Sequence, residues 1–335
     1  WLFAGYANNI DSKFDIFNYA IYTQISYPLS NRLILSSTLR YDINDTKQDL
    51  EYEYYDIYYN ILQGEYQNQI TDDNLLGGTI KAIYQHNDFL FINSSISRGY
   101  KTSGINQSQA PFLADSLNIY DTEYCNNLDF GIHYQKDSYK FIFSAFYMYR
   151  YNPQLRLSYQ VNPSDPTSFD YATFNANHGY NYGFNLNITV KVSELMILNP
   201  YVSYLKTYVS NFEYLGTLYG NRELSHSPQH KYGIHLNYDL SEFINGLSLN
   251  MDSNFISSFY FEEQNNMKSH PYHLMDLSLN YKNGYLEISL WSKNITDTQY
   301  PIRGYQFVLD PTYEVKNYQC FGDPRTIGIT LNFNL

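Results

Sequence analysis

Thr326-Ile327-Gly328-Ile329-Thr330-Leu331-Asn332-Phe333-Asn334-Leu335 ends the sequence, and its apolar residues fall at every second position. Thr, Gly and Asn fill the places between. A period of two over ten residues is a strand with one oily face and one wet face. The same alternation recurs upstream. Phe184, Leu186, Ile188 and Val190 take turns with Asn185, Asn187, Thr189 and Lys191. Leu128, Phe130, Ile132 and Tyr134 take turns with Asp129, Gly131, His133 and Gln135. Met275, Leu277, Leu279 and Tyr281, then Leu286, Ile288 and Leu290, repeat it.

No segment carries a capped 3.6-residue stripe, so the sequence reads as all-β with roughly fourteen strands. They are expected near 1–8, 14–28, 32–44, 76–86, 89–101, 120–135, 139–152, 170–191, 196–211, 229–240, 247–261, 271–281, 285–297 and 323–335. Connections alternate in length. Short ones lie at Ser30-Asn31, Asn87-Asp88, Lys136–Ser138, Ser193-Glu194, Ser241–Gly246 and Asn283-Gly284, the last a type I′ hairpin signal. Long ones lie at 45–75, 102–119, 153–169, 212–228, 262–270 and 298–322. Tight turns at one end and long loops at the other are the layout of an antiparallel up-and-down transmembrane β-barrel. The wet face holds Asn, Asp, His, Lys and Gln, which suit a hydrated or plugged lumen and not a dry core.

Composition agrees. The 335 residues include 33 acidic and 21 basic side chains, for a net charge of −12, and 39 tyrosines. So many aromatics at only 16% charged residues exclude intrinsic disorder. The acidic balance speaks against nucleic acid as a partner. No apolar run approaches the ~18 residues of a membrane helix. Cys125 and Cys320 do not make a disulfide framework. The absence of an initiator Met and of a leader pattern suggests a mature or truncated piece. Tyr281 and Tyr285 flank the Asn283-Gly284 turn, where an inner aromatic girdle is expected. The cluster Tyr52, Tyr54, Tyr55, Tyr58 and Tyr59 falls in or beside a long loop.

Several segments resemble the TonB-dependent outer-membrane receptors of the siderophore class. Ser97-Arg98-Gly99-Tyr100-Lys101-Thr102-Ser103-Gly104-Ile105-Asn106-Gln107 is similar to that family's Ser-x-Gly-Tyr-(Arg/Lys)-x-Gly-Gly-Phe-Asn, with Ser103 where Gly is usual. Glu123 to Gly131, Asn177 to Phe184 (with Asn185 replacing an acid) and Ser227-Pro228-Gln229-His230 resemble the segments that follow. Lys293-Asn294-Ile295-Thr296-Asp297 with Tyr300, and Gly322-Asp323-Pro324-Arg325-Thr326, resemble the last two. Order and spacing match over about residues 10–335; the terminal Leu335 stands where Phe is usual.

The resemblance implies a 22-stranded barrel with an N-terminal plug, of which residues 1–335 would be the last fourteen strands, with no plug in this sequence. It implies uptake of a ferric siderophore or similar iron chelate, energised by TonB through the plug. Location would be the outer membrane of a Gram-negative bacterium. The partners implied are outer-membrane lipids and, through the last strand 326–335, the barrel assembly machinery. No cofactor is implied.

Arg98, Tyr100 and Lys101 at the loop end of a strand, with Arg222, Arg303 and Tyr305 in or beside long loops, are the candidate ligand-binding residues of an outer vestibule. Cations there would attract an anionic chelate through a focused field, and Tyr305 and Phe307 could stack on it. Each cation could instead pair with a local carboxylate or a lipopolysaccharide phosphate. Glu262-Glu263 reads as solvated loop charge. His226, His230 and His235 do not converge on one strand face, since His235 has the opposite parity from His230. No Gly-x-Ser-x-Gly elbow, phosphate loop or Cys-x-x-Cys occurs, and no nucleophile with a positioned base can be assembled, so an enzyme is not expected. A self-contained 14-stranded porin is the alternative.

Overall fold

The computed structural model describes residues 7–55, 61–106, 118–160, 169–214, 216–307 and 314–333. The strands are β1 Ala7–Ser30, β2 Leu33–Tyr55, β3 Ile61–Asn87, β4 Leu90–Lys101, β5 Gly104–Ile105, β6 Ile119–Tyr120 and β7 Glu123–Lys136. They continue as β8 Tyr139–Tyr151, β9 Gln154–Gln160, β10 Phe169–Asn175, β11 His178–Lys191, β12 Met196–Val209, β13 Phe212–Tyr214 and β14 Thr217–Tyr219. The rest are β15 His230–Asp239, β16 Leu247–Ile256, β17 Tyr272–Asn283, β18 Leu286–Lys293, β19 Pro301–Phe307, β20 Lys316–Phe321 and β21 Thr326–Phe333.

Thirteen of these form one antiparallel sheet in the order β1-β2-β3-β4-β7-β8-β11-β12-β15-β16-β17-β18-β21. The all-β, up-and-down architecture expected from the alternation is the one observed. The alternation also sets the faces. Ile329, Leu331 and Phe333 of β21 stand opposite Leu290, Ile288 and Leu286 of β18, an apolar row that ends at Ile327 opposite Ser292. On the same outward face Ile80 and Ile96 are 65% and 66% exposed, while on the opposite face Asp42 and Gln48 are 3% and 1% exposed. The oily side chains therefore point outward and the wet ones inward, the sign expected of a barrel wall in lipid.

The strand count differs from the sequence expectation by one. Residues 9–13 do not break the chain: β1 runs straight through them, in register with Lys13 opposite Asp49 and Asn9 opposite Glu53. Every neighbour in the sheet is antiparallel, so with thirteen strands β1 and β21 run in the same direction. Joining them to each other would make a parallel pair. Antiparallel closure needs an odd number of further strands, and a porin of fourteen would need a strand beyond those described.

The segment 45–75, expected as a loop, is mostly strand. β2 has 23 residues and β3 has 27, far beyond the ~10 needed to cross a bilayer. The ladder continues from Asp45 opposite Asp72 up to Tyr55 opposite Ile61. Outside lipid one face no longer has to be apolar, so the period-two signal fades while backbone pairing persists. The other long loops carry hairpins as well: β5–β6, β9–β10, β13–β14 and β19–β20. The expected single strand 170–191 is divided for this reason, since β10 pairs with β9 and only β11 joins the large sheet. Likewise β16 stops at Ile256, β18 stops at Lys293 and β21 starts at Thr326.

All six short connections fall where expected, but one turn type needs correcting. Asn283 pairs with Leu286, so the loop is Gly284-Tyr285, and only Gly284 has positive φ, +57°. Glycine alone at the first central position is the type II′ pattern, in place of the I′ expected from Asn-Gly. Tyr285 is 76% exposed at that turn, and the flanking Tyr281 lies on the outward face opposite Leu247 and Ile288. The readings on residues 1–6, on the side chains of Tyr52, Tyr54, Tyr55, Tyr58, Tyr59 and Phe307, and on Leu335 lie outside the described residues.

Candidate functional site

The loop ends carry their own apolar core. Leu155 and Leu157 of β9, Ala172 and Phe174 of β10, Ala176, Val209 of β12, and Phe212 and Tyr214 of β13 are buried together. Burying one such Leu or Phe contributes about 1.5–3 kcal/mol. Polar ties add to the apolar core. Gln264 accepts from Ser158 N at 2.9 Å and Ser158 Oγ at 2.8 Å, and donates to Ser158 O at 2.7 Å. Asn106 donates to Thr173 O at 2.6 Å and accepts from Thr173 N at 2.7 Å. Asp73 accepts from Ser103 N at 2.9 Å, Ser103 Oγ at 2.8 Å and Thr122 Oγ1 at 2.5 Å. Ser103, the departure from the family pattern, thus supplies an extra hydroxyl bond to a buried carboxylate.

Against this cap lies a cleft of about 380 Å³ lined by Arg156, Tyr171, His226, Phe261, Glu262, Arg303, Gly304 and Tyr305. Four hairpin or loop segments build it: β9–β10, the 224–230 stretch, the 257–263 stretch and β19. The Arg156 guanidinium lies 5.4 Å from the Tyr171 ring centroid. The Tyr305 hydroxyl, hydrogen-bonded to Arg303, raises the pKa of that guanidinium. His226 has φ +50° and its backbone N–H donates to Tyr260 O at 2.8 Å. Burial lowers its pKa, the Arg303 charge lowers it further, and Glu263 acts in the opposite direction. Burial raises the Glu262 pKa, against a hydrogen bond from Asn265. Two guanidiniums and one half-buried carboxylate therefore line the cleft, a local cationic patch on a chain of net charge −12. Such a patch binds anions, with the exposed ring of Tyr171 available for stacking and the buried Phe261 ring forming the cleft floor.

Of the six sequence candidates, Arg303 and Tyr305 meet in the cleft. The other four lie elsewhere. The Tyr100 ring packs over Gly77 and its hydroxyl bonds Asp42, which also takes Arg40 at 2.7 Å through two nitrogens. Lys101 is exposed opposite Glu123, whose carboxylate is held by Arg150 at 2.6 Å. Arg222 sits 3.8 Å over the Tyr260 ring and donates to Asn265 O and Glu262 O, both at 2.5 Å. It braces the 260–266 loop behind the cleft. Arg98 lies on the outward face, opposite Gly78 and Asn126.

Arg156, Tyr171, His226 and Phe261 were not singled out as ligand contacts, because they reach the cleft only through hairpin folding. Nor are Glu262 and Glu263 solvated: both are partly buried, and Glu263 accepts the Ser225 N–H at 2.7 Å. His235 turns away from His226 and binds Asp252 at 2.8 Å across the inner face. Among the described residues no group of three or more His, Cys, Asp or Glu side chains could hold a metal.

The family model for TonB-dependent receptor-like β-barrels matches residues 2–295. The chain belongs to the TonB-dependent receptor β-barrel family. Members of this family are outer-membrane receptors and transporters, not enzymes. No curated protein sequence matches this receptor barrel. Solved structures do. The ferric yersiniabactin uptake receptor FyuA from Yersinia pestis superposes with a TM-score of 0.78 at 16% identity, over 97% of this chain and 47% of that one. The siderophore receptor PiuA from Acinetobacter baumannii gives 0.73 at 13%, over 96% and 44%. The copper transporter OprC gives 0.72 at 15%, over 95% and 48%. These superpositions establish the shared fold. The receptor barrel spans about half the length of the structures it matches.

Proposed function

We propose that this chain is the C-terminal part of the barrel wall of an outer-membrane receptor in a Gram-negative bacterium, which captures an anionic ferric siderophore or similar iron chelate at its outer loops. The observation that carries the reading is the cleft lined by both Arg156 and Arg303 together with Tyr171 and Tyr305. A chelate with anionic oxygens and aromatic rings is complementary to guanidiniums and phenol faces together. The apolar core of the loops holds these groups in place before the ligand arrives, which reduces the ordering cost of binding. The thirteen-stranded sheet, and the half-length overlap with solved uptake receptors, support a wall completed by further strands, around the TonB-coupled plug that the family resemblance implies.

The test is fluorescence quenching of the purified receptor by ferric catecholate, hydroxamate and carboxylate siderophores. Anionic aromatic chelates are expected to bind, with Arg303→Gln and Arg156→Gln each weakening them tenfold or more. Binding by both variants unchanged from the unaltered chain, or no quenching by any chelate, rejects the reading.

A further inference from the structure

On the outward face, away from the vestibule, β2, β3 and β4 meet at a bare spot. Gly78 stands in register between Leu39 of β2 and Arg98 of β4. A Cβ there would lie 2.5 Å from the Thr38 carbonyl oxygen, so no side chain can cover the position. The result is a furrow of about 360 Å³ walled by Leu39, Leu76, Ile80 and Ile96. These side chains share the lipid-facing parity and remain 51–66% exposed, so they flank the furrow without closing it.

Its loop-side end is polar. Arg98 and Asn126 line it there, and the Arg98 guanidinium lies 4.2 Å from the Tyr124 ring centroid. Among the described residues no carboxylate pairs with Arg98. A cation on the lipid face is costly at the bilayer midplane and tolerated near the interface, where its long side chain can reach the headgroups. The anion that such a cation meets on this face comes from the bilayer.

We propose that this furrow is a specific lipid site: one acyl chain lies over Gly78 between Leu39, Ile80 and Ile96, and the phosphate of the same lipid sits on Arg98 and the Asn126 amide. The occupant is a phosphate-bearing lipid of the outer leaflet. The bare glycine accommodates the chain, the guanidinium selects the headgroup, and the Tyr124 ring holds the guanidinium at the furrow's end.

Native mass spectrometry of the full chain, extracted in detergent and titrated with bisphosphorylated lipid A, tests this. Fully dephosphorylated lipid A serves as the comparison. One phosphorylated lipid per chain is expected to survive activation, with at least tenfold weaker retention of the dephosphorylated form. Arg98→Gln should lose the tenfold preference, and Arg98→Lys should keep most of it. Ile96→Trp, which fills the furrow, should lose retention while Arg98 is still present. Arg303→Gln, in the vestibule, should change nothing here. Unchanged retention by Arg98→Gln, or equal retention of both lipids by the unaltered chain, overturns the proposal. Should Ile96→Trp fail to assemble, the headgroup comparison and the exposed Arg98→Gln variant still decide it.

Discussion

Asp297 Oδ1 accepts the backbone N–H of Arg325 at 2.9 Å, joining two segments 28 residues apart. Beside it, Asn294 Nδ2 donates to Thr298 O at 2.9 Å and to Asp323 O at 3.2 Å, and Asn294 Oδ1 accepts the Thr298 N–H at 2.9 Å. Asn294 and Asp297 both have positive φ, +47° and +53°, a conformation these two residue types tolerate better than most. The two motifs that resemble the family's final segments are thus one structural joint. It launches β21 from the loop at the correct height beside β18.

Asn294→Ala should therefore weaken that joint. Asn294 is 5% exposed, and its removal strands Asp323 O and Thr298 N–H. An expected loss of about 1–3 kcal/mol follows from unsatisfied buried polar groups. Thermal unfolding in detergent micelles checks it, and an unchanged midpoint would count against the joint.

Leu157→Ala tests whether the loops form a pre-packed cap. Leu157 is 2% exposed within the loop core. The cavity should cost about 2–5 kcal/mol locally. Proteolysis between β9 and β10 should accelerate while the membrane-spanning strands stay protected in hydrogen exchange. Acceleration spread evenly over the whole chain would show that the cap is not a separate unit.

Arg222→Gln and Arg303→Gln should differ in kind. Arg222 braces the backbone of Glu262 and Asn265, so its loss should raise protease sensitivity of the 260–266 loop. Arg303 lines the cleft from an exposed position, so its loss should lower chelate affinity with loop protection unchanged. Paired binding and limited-proteolysis assays separate the two, and identical profiles would defeat the distinction.

The cleft should be pH-sensitive through His226. Its folded pKa lies below the ordinary value of 6.5, through burial and the Arg303 charge. A depressed folded pKa means that the stability contributed is complete above the unfolded value and is lost as pH falls through the folded one. Glu262 acts with the opposite sign: its raised pKa favours the folded state while it is protonated, and that contribution fades as pH rises from the ordinary 4.5 through the raised value. Loop stability followed by hydrogen exchange should thus fall from pH 7 toward pH 5, and His226→Asn should flatten that part of the profile. A wild-type slope retained in the variant would assign the effect elsewhere.

Strand faces, the positions of all six short turns and the antiparallel architecture were legible in the sequence, because lipid outside and polar groups inside impose an alternation along every membrane-crossing strand. The same rule explains what was not legible. Above the bilayer, residues 45–55 and 61–75 keep pairing without an oily face, so their strands left no periodic trace. The hairpins β9–β10 and β13–β14 bury only a few apolar side chains each, too few to register as a period. For the cleft, Arg303 and Tyr305 could be named from their position in a long loop, since cations and phenols there suit an anionic ligand.

Residue order alone determined the lipid-facing and inward-facing sets, the place of each tight turn and the family resemblance, because each depends on spacing along one strand. Folding in three dimensions decided the rest. It brought Arg156, Tyr171 and His226 to Arg303 from segments up to 147 residues away, turned Arg222 inward as a brace, and left Arg98 facing lipid beside a bare glycine. Those outcomes depend on how separate hairpins pack on a shared apolar core and on the register between strands, and neither quantity is carried by any single stretch of sequence.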